Sequence, residues 1–351
     1  MTFRSILLAL CFALSSMAST ARQPVQATVP TSGVLGVTAA QMTPGFWITR
    51  ASHTDRVLMN KVAIVQQNAR LFASDRSVHD LREIPRTLTR AQIREWITSV
   101  SVTPQHTRYD RDGHAIAEAA LVELAKTLNL DAIPAQQTTR YGLVVHRANL
   151  RTFPSAIRAF SEPDNTDIDR FQETGLFPGT PVVIAHVSGD GQWLFVVSPR
   201  YAAWIKKTAV AEGDAKTVLA YHSGSAARVI TGAQARTVFT PETPALSELR
   251  LDMGLHLPLA RGLEPGQPVN GQSAYASWAL LLPTRMDDGK LALKPALLQR
   301  VADSRGSYLP LTRANIIAQA FKFLGERYGW GHMYNGRDCS GFVSEVYRSM
   351  G

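Results

Sequence analysis

The chain has 351 residues, 45% hydrophobic and 19% charged, with 24 Gly, 19 Pro and two Cys. At about 100 to 200 residues per domain this length predicts two to four domains with cores of their own. It excludes overall disorder, while glycine period, cysteine count and lack of self-similarity exclude collagen-like, disulfide-scaffold and solenoid readings. The net charge of +9 comes from scattered basic residues. It suits either anionic envelope polymers or an ordinary solvated surface, and its sign alone gives no ground for nucleic-acid binding.

In chain order, residues 1–21 combine Arg4, an apolar run from Ile6 to Leu14 and a small-residue tail ending in Ala18 and Ala21. That is the layout of a secretory signal peptide, with a buried N-terminal helix as the alternative. Leu10 is not the small residue that a lipid anchor at Cys11 would need. An exported protein is therefore expected, periplasmic or envelope-associated. Cleavage would remove Arg4 and take the charge from +9 to +8. It would also remove Cys11, so that Cys339 becomes the sole thiol and no intrachain disulfide can form. A lone thiol in an oxidising compartment is either deeply buried or used. No later stretch approaches the roughly 18 apolar residues of a transmembrane segment.

Residues 22–42, rich in Pro, Thr, Ser, Gly and Gln, read as a linker. A helical region is predicted over 43–134. Thr89-Arg90-Ala91-Gln92 has capping-box form and precedes Ile93, Trp96, Ile97 and Val100 at helical spacing. A second amphipathic helix is expected from His114 to Leu128. After Pro134 the pattern changes to short strands: Leu143 to His146, Pro181 to Ala185, Trp193 to Val197 and Ala203 to Ile205. A second β set follows at Thr217 to Tyr221, Ala227 to Ile230 and Arg236 to Phe239. It ends in a hairpin that joins Trp278–Leu282 to Leu291–Leu293 through Asp287-Asp288-Gly289. Two small β modules in tandem are predicted. The chain then returns to helix, with Thr312 capping a segment that carries Ile316, Ile317, Ala320, Phe321 and Leu324, and Asp338 capping another with Phe342, Val343, Val346 and Tyr347.

Cys339 would sit in the first turn of that last helix, where free backbone N–H groups and the helix dipole favour thiolate. Asp338 opposes this by its charge, so a general base elsewhere would still be needed. From the residues alone Cys339 is either a nucleophile or a small buried hydrophobe. The remaining histidines are scattered, without His-Glu-x-x-His or a Cys/His cluster of metal spacing, and no Walker or dinucleotide glycine loop occurs. No cofactor or metal is expected.

Tyr328-Gly329-Trp330-Gly331 followed by Asp338-Cys339-Ser340-Gly341-Phe342-Val343 resembles the start of the NlpC/P60 cysteine peptidase domain. Upstream, Tyr141 to Pro154, Gly191-Gln192-Trp193 and Trp204-Ile205 resemble the bacterial SH3-like domain of longer members. The fold implied is multidomain α+β: a helical N-terminal stabilising region (43–134), two small SH3-like β-barrels (135–212 and 213–308), and the beginning of a papain-like α+β NlpC/P60 domain (309–351). The resemblance implies a cell-wall hydrolase, of γ-D-glutamyl endopeptidase or dipeptidyl-peptidase VI type, that cleaves the γ-D-Glu to diamino-acid bond of peptidoglycan stem peptides. Its expected partners are stem peptides with a free N-terminal L-Ala, and it is expected to be a monomer.

The resemblance also assigns roles. Cys339 matches the nucleophile and Tyr328 the tyrosine that steadies the oxyanion. Asp338 and Ser340 match residues that bind the L-Ala ammonium, and Trp330 an aromatic wall. Tyr201 matches an SH3-domain tyrosine that narrows the cleft, although Ala203 replaces the usual glycine before Trp204; Tyr201 and Trp204 could equally be barrel core. His332 stands where a second glycine is common and reads as a loop residue, not as the downstream base of the family. The chain ends twelve residues after Cys339. Without a downstream histidine the 351 residues are expected to be an inactive, C-terminally truncated peptidase, the alternative being a non-catalytic cell-wall peptide-binding protein.

Overall fold

Thr89 starts a helix by the mechanism its sequence predicts. In a computed structural model, which describes residues 33–351 apart from 35, 225 and 265, the Thr89 and Gln92 side chains and backbones cap one another reciprocally. Residues 1–21, with Cys11, and most of the 22–42 linker lie outside the described residues. Helix α1 (Lys61–Ser74) is capped by Asn60, whose side chain accepts from the Ala63 N–H at 2.9 Å, and buries none of its residues. Helix α2 (Arg90–Val100) buries Ile93 and Ile97 completely. Helix α3 (Glu118–Lys126) is shorter than the predicted 114–128. Asp110 Oδ1 accepts from the N–H groups of Asp112 and His114, both at 2.9 Å, and Ala115 bridges to Tyr109, so residues 110–115 form a turn instead.

Seven antiparallel strands follow: β1 (Arg140–Val144), β2 (Ala148–Arg151), β3 (Gln172–Leu176), β4 (Pro181–Val187), β5 (Trp193–Val197), β6 (Ala202–Lys206) and β7 (Val210–Gly213). They form one sheet in the order β7-β1-β4-β5-β6-β2-β3. The strands β4 and β5 are almost unbroken apolar runs because both of their faces are covered. Val182, Ile184, Leu194 and Val196 point into an interior that they share with Leu150 and Ile205. The alternate residues Val183, Ala185, Trp193, Phe195 and Val197 pack outward against Ile93 and Ile97 of α2. Trp204 is fully buried, edge-on to Phe195 at 5.4 Å. Its indole N–H donates to Ser101 Oγ at 3.0 Å, and that hydroxyl donates to the Thr152 carbonyl at 2.7 Å. The end of α2 is thereby pinned to the sheet.

The second β region is less regular. Thr217 to Tyr221 is not a strand: Asp214 accepts from the Thr217 N–H at 2.9 Å and caps a short helix over Ala215–Ala220. Strand β8 (Ala227–Ile230) forms as predicted, whereas the pairing predicted over Arg236 to Phe239 is confined to Gln234–Arg236. There Thr237 turns its hydroxyl onto the Leu246 carbonyl. The long hairpin of β9 (Ser277–Arg285) and β10 (Leu291–Gln299) is in register throughout. It packs Leu280, Leu282, Ala296 and Leu298 against Ile230, Leu251 and Leu257.

Helix α4 (Arg313–Phe321), capped by Thr312, and helix α5 (Cys339–Arg348), capped by Asp338, close the described chain. They share a small core of Phe323, Val346 and Met350 with Met253 and Leu309. Leu311–Thr312 pairs with Val57–Met59, which ties the N-terminal region to this end. Among the described residues no helix is long and apolar enough to cross a membrane.

Candidate active site

The loop between Tyr328 and Asp338 is built on left-handed backbone. Gly331, His332, Tyr334 and Asn335 all have positive φ, from 53° to 66°. Three of these are not glycine, an arrangement that persists only where neighbours hold it. Gly331 has no alternative, since a Cβ there would lie 2.7 Å from Gln172 Cγ. The neighbour is the edge strand β3. Trp330 donates its indole N–H to the Gln172 carbonyl at 3.1 Å, and Gln172 donates its amide to the Gly331 carbonyl at 2.7 Å. The loop therefore covers an edge that would otherwise expose unpaired backbone groups.

Asp338 fixes the start of α5 from both sides. One carboxylate oxygen accepts from the Gly341 N–H at 2.7 Å and from the Ser340 hydroxyl at 3.0 Å; the other accepts from the Gly331 N–H at 3.0 Å. Cys339 is the first residue of α5 and is exposed, so its reading as a small buried hydrophobe is overturned. Among the described residues no group hydrogen-bonds its sulfur. Tyr328 is 49% exposed. Partial burial, then the charges of Asp338 and Cys339, push its phenol above the ordinary value. A phenol that keeps its proton is a hydrogen-bond donor beside the thiol.

The facing wall comes from the seven-stranded sheet. Tyr201 donates its hydroxyl to Glu173 Oε2 at 2.5 Å, and Thr152 donates to the other oxygen of that carboxylate. Burial, and then Glu173, push the Tyr201 phenol strongly upward. Tyr201 is half-buried at the margin of the sheet interior; Trp204 lies in the core itself. Glu173 follows Gln172, on which Trp330 rests, so β3 carries a carboxylate at the rim of the site. Sequence reasoning missed Glu173, because a single acid in a short strand has no spacing to mark it.

His332 is more than a loop residue. This buried residue lies between Gly175 of β3 and Gly341 of α5: a Cβ at 175 would come within 2.8 Å of the His332 Cβ, and one at 341 within 2.6 Å of its ring. Nδ1 lies 3.3 Å from Thr174 Oγ1, and Nε2 lies 3.2 Å from Glu345 Oε1, off the line a hydrogen bond requires. Both ring nitrogens thus face partners other than Cys339. Glu345 is also bound by Arg337 at 2.6 Å, and Arg337 reaches Asp252 at 3.1 Å and Glu326. Asp252 in turn meets Arg147, which donates to the His332 and Gly336 carbonyls at 2.9 and 2.6 Å. This buried network joins the first sheet, the second β region and α5. Burial pushes the Glu345 carboxyl up, but His332, Arg348 and Arg337 outweigh it and hold the group well below the usual carboxylate range.

A cavity of about 700 Å³ opens beside α5. Tyr201, Ser340, Ser344 and Arg200 are on its walls, while Cys339 stands outside it at the end of the helix. Of the six residues expected to form the site, Asp338 and Ser340 are bonded to one another and Tyr328 senses both Asp338 and Cys339. Trp330 and Tyr201 reach the same place through neighbouring residues of β3.

Residues 158–206, within the seven-stranded sheet, match the SH3 domain family of SH3b1 type. No curated protein matches the sequence. The structure is similar to that of an NlpC/P60 endopeptidase from Photobacterium damselae subsp. piscicida, with a TM-score of 0.66. The likeness is one of fold. Sequence identity is 17%, and the match covers 86% of this chain and 65% of that one, so the chain spans about two thirds of the length of its structural relative. The protein is thus a mixed helix-and-sheet chain with an SH3-like domain and the fold of part of an NlpC/P60 endopeptidase.

Proposed function

We propose that this chain belongs to an exported cell-wall hydrolase in which Cys339 attacks the γ-D-glutamyl carbonyl of a peptidoglycan stem peptide and releases the diamino acid. The observation that carries this reading is an exposed thiol at the Asp338-capped start of α5, with Tyr328 beside it and the Tyr201–Glu173 pair on the sheet opposite. Attack forms an S–C bond and moves the carbonyl electrons onto oxygen. The Tyr328 hydroxyl then donates to that oxyanion, an interaction that strengthens as charge develops. Collapse expels the amine of the diamino acid and leaves a thioester for water to cleave. Asp338 and Ser340, with Glu173 across the cleft, supply the anionic and polar groups that hold a free L-Ala ammonium. Trp330 forms the aromatic wall.

The general base is assigned to a histidine outside these 351 residues, since His332 has both nitrogens facing Thr174 and Glu345. The test is to incubate L-Ala-γ-D-Glu-diaminopimelate with this chain, with a C-terminally extended protein and with the extended Cys339→Ala form. Turnover is expected from the extended protein alone. Equal turnover with and without Cys339, or none from the extended protein, would reject the reading. The absence of any hydrogen-bonding partner for the sulfur among the described residues, together with the SH3b1-type match, favours one other reading, a wall-peptide binding protein. Retention of this chain on purified peptidoglycan, with no turnover by the extended form, would establish that instead.

A further inference from the structure

The cavity beside α5 has a cation, Arg200, that forms no ion pair among the described residues; Glu345 acts on it only at longer range. Arg200 donates to Ser344 Oγ at 3.2 Å, and among the described residues it has no carboxylate partner. Arg200 is an exposed residue on the cavity wall, so its guanidinium is open to a ligand from solution. Crowding by protein atoms, then Arg348, pull it down to about 10, against a smaller upward pull from Glu345. The acids around it are already committed: Asp80 pairs with Arg82 at 2.7 Å, and Glu345 pairs with Arg337 at 2.6 Å. Arg348, on the same wall, donates from Nε and Nη2 to the Met253 carbonyl. A cavity with a net positive wall and a free planar fork is suited to a carboxylate.

The position of this fork has chemical meaning. Ser340 and Ser344 are four residues apart on α5 and therefore lie on one face, about 6 Å apart along the axis. Ser340 bonds Asp338, the ammonium end of the site; Ser344 bonds Arg200. In L-Ala-γ-D-Glu the free α-carboxylate is one peptide unit from the ammonium, about 5 to 6 Å away when extended. We propose that Arg200, with Ser344, is a specificity subsite that binds the free α-carboxylate of the substrate's second residue and selects acidic stem peptides over those amidated at that position. This rests on the proposed function for the identity of the peptide, but not for the existence of the anion subsite.

Two titrations of the 351-residue chain carrying Cys339→Ala separate those claims. In the first, glutarate is the probe and the thermal midpoint the readout. Saturable stabilisation is expected, lost in Arg200→Met, partly restored in Arg200→Lys and unchanged in Lys207→Met, which removes an exposed cation elsewhere. In the second, calorimetry compares L-Ala-γ-D-Glu with its α-amide. The acid should bind about tenfold tighter or more, the worth of one charge-assisted contact, and Arg200→Met should abolish the difference. Glutarate stabilisation that survives Arg200→Met, or none at all, overturns the subsite, as does equal affinity for acid and amide. Arg200-dependent glutarate binding with no affinity for either peptide keeps the subsite and removes the proposed substrate.

Discussion

The seven-stranded sheet and the α4–α5 end are held by different forces. The sheet carries its own interior and a second apolar layer under α2, with Trp204, Phe195, Ile93 and Ile97 fully enclosed. The α4–α5 end has only a small core, and it exposes Val343 and Tyr347 by about half. Its attachment to the rest is largely ionic, through Arg337, Glu345, Asp252 and Arg147. Apolar packing tolerates small adjustments, whereas a guanidinium fork fixes position and angle. The half of the site on β3 is therefore rigid by enclosure, and the half on α5 is placed by directional bonds.

The largest expected effect tests the enclosed half. Trp204→Ala should cost about 3 to 5 kcal/mol in urea unfolding, from lost burial and an unfilled cavity. A loss below about 1 kcal/mol would show that the outer layer contributes little. Next, Arg337→Met should cost about 3 kcal/mol by leaving Glu345 and Asp252 short of a buried partner. Its distinguishing sign is partial recovery in Arg337→Met with Glu345→Leu, and no recovery would mean the network is not what attaches α5.

A smaller effect concerns acid. Glu345 titrates lower in the folded chain than in the unfolded one, where its ordinary value is 4.5. Its contribution is complete above that value and is lost as pH falls from there through the folded value. His186 and His222, which burial holds below their ordinary 6.5, act in the same direction at higher pH, since they must charge on unfolding. Tryptophan fluorescence should show stability falling below about pH 6.5 and again below about 4.5; in Glu345→Gln the second phase should shrink but not vanish, because Glu212 and Asp303 are also held low by their partners. The smallest effect is at the cap: Asp338→Ala should cost about 1 kcal/mol. It should also change the rate at which iodoacetamide labels Cys339; an unchanged rate would separate the cap from the thiol.

The two halves were unequally legible in the sequence. Helix caps at Thr89, Thr312 and Asp338 depend on adjacent residues and could be seen in a line of text, as could the strands whose runs are apolar on both faces. The start of the helix expected from His114 and the strand expected over Thr217 to Tyr221 do not form, because a single aspartate before each, Asp110 and Asp214, redirects the backbone and overrides the apolar pattern. Cys339, Asp338 and Tyr328 lie within twelve residues of one another. The pairs Glu173–Tyr201, Arg200–Ser344 and Arg337–Asp252 join residues 28, 144 and 85 positions apart, and no local spacing records such pairings.

The ring of His332, lodged between Gly175 and Gly341, makes three distant positions a single inheritance. A side chain at 175 would press on the Cβ of His332 and one at 341 on its ring, and a smaller residue at 332 would leave a hole between sheet and helix. An SH3-like domain borrowed from another protein would fit here only if it brought a glycine at the position of Gly175. Domain exchange, the usual freedom of modular proteins, is thus restricted in this chain by one side chain in a loop.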